Sequence, residues 1–285
     1  MTRADTQTLL RHATQALAPV AGELAALEAR LLAQRAWGVT HEVLIRNATA
    51  AHYDAAALDA LVARRLKHEP VAQILGKKEF WKDAFAVSRD VLTPRADSET
   101  LIALALKYKP DAKRILDLGT GSGCLLLSLL RECPQAVGVG IDRSEAALAV
   151  AARNAAALGL AGRAKLRRGD WCAGLASCET FDLIVSNPPY IPAGEIAALS
   201  PDVRLHEPSQ ALDGGKDGLD CTRSILSQVT PHLAENAILV METGSGQMEK
   251  VAQLAHGRAF TVKEIAKDLA GIERAIAWAK HWETV

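Results

Sequence analysis

A doubly wound α/β sheet preceded by a small helical region is the fold class that this sequence predicts. Three observations carry that expectation. From residue 111 onward, short apolar segments alternate with longer helical ones, the rhythm of βαβ units. A glycine-rich turn, DLGTGSG, joins the first strand of that series to its first helix. Residues 1 to about 70 carry helical signals and no convincing strand, so the opening helices stand outside the alternation.

In PVAGELAALEARLLAQRAWG, Pro19 reads as the start of a helix and Gly38 as the residue after its end. Leu24, Leu27, Leu31 and Gln34 trace its partly apolar face. Asp54 is placed to cap a further helix, AAALDALVARRLKHE, which Pro70 stops. KKEFWKDAFAVS alternates around a Lys-Asp turn and predicts a hairpin. KRILDL is then a strand, SGCLLLSLLREC a helix, AVGVGID a strand, and SEAALAVAARNAAALG a helix capped by Ser144. AKLRRGD, FDLIVSN, NAILVMET, a stretch near Phe260 and ERAIAWAK supply the later strands. The pattern implies a parallel sheet with helices on both faces, whose ligands bind at the carboxyl ends of the strands. Asp117, Asp142, Asp170, Asn187 and Glu242 fall at those ends. The expected division is residues 1–75 for the helical domain, 76–95 for a hairpin linker and 96–285 for the sheet domain.

The 285 residues suffice for one large domain with a small companion. Apolar residues make up 49% but aromatics only 4%, so the core is built from Ala, Leu, Val and Ile. Lys+Arg and Asp+Glu both number 33, a neutrality that argues against a strongly basic nucleic-acid footprint. The five cysteines form no CxxC pair, which favours buried thiols in a reducing compartment over a zinc site or disulfides. No apolar leader and no 18-residue apolar run occurs, so a cytoplasmic protein without a membrane span is expected.

The loop places Asp117 at the end of the first strand, with Gly119, Gly121 and Gly123 before the helix. Glycines there let the backbone turn tightly and approach a ligand. A carboxylate at position 117 would repel a pyrophosphate and attract a cation. S-adenosylmethionine carries an ammonium and a sulfonium and no phosphate, so Coulomb's law favours it over a dinucleotide. Asp142, ending the second strand, is placed to accept from ribose hydroxyls; capping the next helix is its plainer role. Asp170 and Trp171 end the third strand, with the indole suited to lie beside adenine and its neighbour to meet the exocyclic amine.

FDLIVSNPPYI ends a buried strand in Asn187, Pro188, Pro189 and Tyr190. An amide NH2 is a poor nucleophile, its lone pair delocalised into the carbonyl, and must be gripped and aimed to be methylated. The Asn187 side-chain carbonyl and the Pro188 main-chain carbonyl are two acceptors for one NH2, and proline has no N–H to compete. Held together, they stabilise the positive charge that grows on nitrogen. Tyr190 offers a flat face to the rest of a planar group. That chemistry fits the exocyclic amine of adenine or cytosine and a glutamine side chain alike. A rigid Pro-Pro loop over a packed tyrosine, in a binding module without turnover, is the bland alternative.

With PVAQILGKKEFW, VLTPRADSET, ILDLGTGSG, GDW, FDLIVSNPPYI, VRLHEPSQALDGGKDGL, the GSGQ of METGSGQ and DLAGIERA in this order, the chain resembles the HemK/PrmC family over essentially its full length. That family methylates the glutamine side-chain nitrogen of peptide chain release factors. The resemblance implies a Rossmann-like, class I S-adenosylmethionine-dependent methyltransferase domain with a seven-stranded sheet behind an N-terminal helical bundle that grips the partner. It implies a class I release factor as substrate, with its glutamine in a Gly-Gly-Gln loop, and neither a nucleic-acid substrate nor a membrane; a monomer is expected. By resemblance, Gly119, Thr120, Gly121, Ser122, Gly123, Asp142, Trp171 and Asn187 hold the methyl donor, joined by Asp117 and Asp170 from the reading above. Asn187, Pro188, Pro189 and Tyr190 receive the glutamine. Ala96 and Ser98 stand where many relatives carry proline and threonine, and Thr243 where isoleucine is usual; none of these three is expected to touch the chemistry. A nucleic-acid amino-methyltransferase of the adenine-N6 type shares the Asn-Pro-Pro-Tyr element and is the alternative.

Overall fold

The computed structural model describes residues 5–46, 53–256 and 260–280. They form two compact units. The first unit takes the chain as far as Lys77 and adds Ser200–His206 from the distant sequence, a return that the expected boundary at residue 75 did not include.

Within this unit lie α1 (Thr6–Ala21), α2 (Ala25–Trp37), α3 (His41–Arg46), α4 (Ala55–Leu66) and α5 (Val71–Leu75). Pro19 sits in the last turn of α1. It does not open the next helix, which starts only after a 3-10 turn over Gly22–Leu24. That turn resets the helical register. The buried face of α2 is therefore Ala25, Ala29, Leu32 and Ala33, whereas Leu24 and Leu27 of the expected face are exposed. Gly38 follows α2 with φ 65°, and the Asp54 carboxylate accepts from the Ala56 amide at the start of α4, a cap worth about 1 kcal/mol. The helix ends at Leu66, short of Pro70, which instead opens α5. Arg65, only 4% exposed, bridges Glu28 (Nε–Oε2 2.8 Å) and Asp202 (Nη1–Oδ2 2.9 Å). His206 Nε2 meets the Lys67 carbonyl at 2.9 Å, and Gln73 donates to the His206 carbonyl. The returning segment is thus held by Arg65 and His68 on Asp202 and by two side chain to main-chain hydrogen bonds at His206.

The second unit covers Lys78–Leu199 and Glu207–Val285. β1 (Lys77–Phe80) and β2 (Asp83–Ala86) pair as a two-stranded sheet, with the turn at Trp81-Lys82, one residue before the expected position. The Trp81 amide donates to Glu99 and its indole N–H to Glu132, which ties the hairpin to α6 (Glu99–Tyr108) and α7 (Cys124–Glu132). The main sheet contains β3 (Arg114–Leu118), β4 (Val137–Asp142), β5 (Ala164–Arg168), β6 (Phe181–Ser186), β7 (Leu233–Glu242), β8 (Phe260–Lys267) and β9 (Glu273–Lys280). Their spatial order is β5-β4-β3-β6-β7-β9-β8. The first five run parallel. β9 is antiparallel to both β7 and β8, so the sheet is mixed and not wholly parallel as expected. Only residues 268–272 separate β8 from β9, far too few for a parallel crossover.

Successive residues of the strands face opposite sides, as period two requires. Ile115, Leu183, Val185 and Val240 join the core beneath α6 and α7, while Leu116, Ile184, Leu239 and Met241 join the core on the other face. Each fully buried side chain of this size contributes about 1.5–3 kcal/mol. α8 (Glu145–Ala157) starts at Ser144, whose hydroxyl accepts from the Ala147 amide. No helix among the described residues is long and apolar enough to cross a membrane.

Candidate active site

Parallel strands deliver their last residues to one edge, and there the second unit opens a cleft of about 990 Å³, solvent included. Its floor is the turn after β3. Gly119, Gly121 and Gly123 all have positive φ (74°, 55° and 79°), a region that a Cβ disfavours. A Cβ at Gly123 would also come within 3.2 Å of Ala151 and Leu127. The turn is spent on the protein's own acceptors. Gly119 and Thr120 both donate their amides to the Ile141 carbonyl at 2.9 Å, and Gly121 donates to Asp142 Oδ2 at 2.9 Å. Asn154 donates to the Ser122 and Ala86 carbonyls and accepts from the Ala86 amide, bracing the turn against the hairpin.

Of the residues expected to hold a donor, Gly119, Thr120, Gly121, Ser122, Asp142, Asp170, Trp171 and Asn187 line the cleft. Gly123 and Asp117 lie outside its lining. Asp117 is fully buried, accepts from Thr120 Oγ1 at 2.7 Å through one oxygen, and leaves the other without a partner. Burial pushes its carboxyl up to about 7. It supports the loop from below, and the cleft-facing anion assumed in the Coulomb argument is absent from that position. Asp142 keeps both readings: Oδ1 accepts from the Ser144 amide at the start of α8 and Oδ2 from Gly121, yet each carboxylate oxygen retains a further lone pair.

The end of β6 is held as tightly. Ser186 donates to the Leu118 carbonyl at 2.7 Å. Gln247 Nε2 donates to the Tyr190 carbonyl at 2.8 Å while its Oε1 accepts from the Gly244 amide. Gly214 and Gly218 press so close that an added Cβ would fall 2.8 Å from Tyr190 Cα and 2.3 Å from the Tyr190 carbonyl oxygen. That close approach accounts for Gly214 and Gly218 of DGGKDGL, and the two hydrogen bonds for Gln247 of GSGQ. Pro189 lines the cleft; Pro188 and Tyr190 line a smaller recess that shares Asn187, Leu92, Arg95 and Ala211 with it.

Two residues behind this loop were not placed in the site by sequence. Asn187 Nδ2 donates to Ser98 Oγ at 3.0 Å, and Ser98 donates to Glu242 Oε2 at 2.6 Å. Tyr190 donates its hydroxyl proton to Glu242 Oε1 at 3.3 Å. Burial pushes Glu242 up to about 6 and Tyr190 up to about 12. The expectation that Ser98 stands apart from the chemistry is therefore corrected: it touches Asn187. It lies 89 positions away in the chain, so no local spacing could join the two. The PRADSE segment and the strand-end position of Glu242 were the only signals. Among the described residues, neither Asn187 Oδ1 nor the Pro188 carbonyl has a protein donor.

Two family models match the chain: a methyltransferase domain over residues 109–282 and a PrmC N-terminal domain over residues 8–76. The chain is 48% identical to the release factor glutamine methyltransferase of Rhodospirillum rubrum, over 87% of this chain and 77% of the relative. It is 42% identical to that of Caulobacter vibrioides, over 90% and 89% of the two chains. Among solved structures, ribosomal protein L11 methylase of Lactobacillus delbrueckii superposes with a TM-score of 0.51 at 18% identity, covering 67% of this chain and 82% of that one. A methyltransferase of Pyrococcus furiosus superposes with a TM-score of 0.51 at 17% identity, covering 77% and 98%. At such identities the two structures show the fold alone.

Proposed function

The chain belongs to the release factor glutamine methyltransferase family, and on that premise we propose that it methylates the side-chain nitrogen of the glutamine in the Gly-Gly-Gln loop of class I release factors. S-adenosylmethionine is the donor that fits the cleft. A pyrophosphate needs free loop amides, but those of Gly119, Thr120 and Gly121 are turned onto Ile141 and Asp142. A phosphate-free nucleoside asks nothing of them. Gly119 to Ser122 would form its floor, Asp142 would accept from the ribose hydroxyls, and Asp170 and Trp171 would flank the base. When bound, the donor supplies a methyl group that leaves sulfur with its bonding electrons remaining there.

The protein's part is to make an amide nitrogen attack. The observation that carries the reading is the pair of acceptors at the end of β6, Asn187 Oδ1 and the Pro188 carbonyl, both without protein donors among the described residues. Two acceptors fix both N–H bonds of one NH2 and so fix its plane. They gain strength as positive charge develops on the nitrogen, which stabilises the transition state beyond the ground state. Tyr190, held by Gln247 and Glu242, offers a flat face to the carboxamide. The reading puts the reaction in the cytoplasm, in a monomer, with the N-terminal bundle contributing binding energy remote from the reacting nitrogen.

A donor carrying a labelled methyl group tests it. Incubation with release factor should place the label on the Gly-Gly-Gln glutamine, located by mass spectrometry of the peptide. Label on DNA or RNA with none on that glutamine would replace this reading with the amino-methyltransferase of nucleic acids, which the formal net charge of zero disfavours.

A further inference from the structure

The Asn187 carboxamide can serve its acceptor role only in one of its two flips. Turned the other way, its NH2 would face the substrate's NH2, donor against donor. What fixes the flip lies behind it. Ser98 Oγ has one proton, and the Glu242 carboxylate, which can only accept, takes it at 2.6 Å. The Ser98 oxygen is then left as an acceptor, so the end of Asn187 that meets it at 3.0 Å must be Nδ2. Reversal would set two lone-pair-bearing oxygens against each other at a part-buried contact, which disfavours it. Tyr190, through its hydroxyl on Glu242 Oε1, keeps the carboxylate from rotating.

We propose that Ser98 is a positioning residue for the transfer: its hydroxyl, oriented by Glu242, locks Asn187 with Nδ2 inward and Oδ1 free to accept from the substrate amide. The proposal rests on the function given above and extends it to residues outside the Asn-Pro-Pro-Tyr element. The relay needs Glu242 ionised. The groups that face it are Ser98, Tyr190, Cys124 and the guanidinium groups of Arg95 and Arg274. Tyr190 and Cys124 are both pushed up to about 12, and the arginines keep their charge. Glu242 is thus the group in this cluster that titrates near neutrality. Protonated, it can donate to Ser98 itself; the serine proton is then released to point at Asn187, and the flip is no longer enforced.

The test compares wild type, Ser98→Ala and Ser98→Thr, using labelled donor and intact release factor, with donor affinity measured separately by calorimetry. Ser98→Ala should lower kcat about 10- to 100-fold, the cost of a reacting group held out of line, while donor affinity stays unchanged. Ser98→Thr, which keeps the hydroxyl, should restore turnover. Wild-type kcat should fall as pH drops below about 6, and Ser98→Ala should lose that limb. Wild-type kcat in Ser98→Ala, an equal fall in kcat and donor affinity, a Thr variant as slow as Ala, or an unchanged acid limb would each overturn the proposal. Unchanged donor affinity also certifies that the variant is folded. If wild type itself leaves the glutamine unlabelled, the function is at fault and not the relay.

Discussion

The two walls of the cleft are built on opposite plans. On the glycine-loop side nearly every polar group is consumed internally: three amides are turned onto Ile141 and Asp142, and Asp142 accepts twice. On the Asn187 side the internal bonds are arranged so that two carbonyl oxygens remain unused. On the proposed function, a donor on the first wall would be selected by shape and by residual lone pairs. On the same reading, an amide on the second wall would meet acceptors whose value grows as nitrogen becomes positive. On that reading the contrast would separate holding from reacting.

Substitutions can break that contrast or sharpen it. The largest effect is expected from Asn187→Ala. Removing an acceptor aimed at developing charge should lower kcat about 100- to 1000-fold, while calorimetric donor affinity falls much less. Equal losses would mean that Asn187 chiefly holds the donor and that the two walls do not differ in kind. Asp142→Ala should act the other way, weakening donor binding by about 1–3 kcal/mol with a smaller change in kcat at saturating donor; unchanged affinity would remove Asp142 from the first wall.

The smallest effect tests the support beneath that wall. Asp117 has its carboxyl raised by burial to about 7, so the folded state prefers it protonated. Its contribution to stability is complete below the ordinary carboxylate range near pH 4 and is lost as pH rises through 7. Asp117→Asn keeps an acceptor for Thr120 without the charge. It should raise the unfolding free energy at pH 8 by an amount on the order of 1–2 kcal/mol, and make no gain at pH 4. A variant equally stabilised at both pH values would show that charge is not the cause.

The sheet was legible because its strands announce themselves by apolar runs bounded by Gly, Pro and charge, and caps such as Ser144 and Asp54 act locally. The direction of β9 was not read, although the short connection at 268–272 already forbade a parallel return. The buried face of α2 differs from the predicted one because proline, which fits the first turn of a helix, also survives in the last turn of α1, and the 3-10 turn after it shifts the phase. Asp117 matters to the loop as a buried support and not as a cleft-facing anion. Its burial is a property of the packed loop that adjacent sequence cannot express. Ser98 and Glu242 reach Asn187 from 89 residues before and 55 after it, a meeting that only the wound sheet brings about.

The return of Ser200–His206 to the first unit bears on how such a chain could be recombined. A cut in the hairpin would strip Arg65 of Asp202 and leave Lys67 and Gln73 without His206. Exchanging the helical portion between relatives at a single crossover would therefore pair one parent's arginine pocket with the other parent's strap. A chimera that grafts both stretches together should express as a folded protein more readily than one grafting the leading stretch alone.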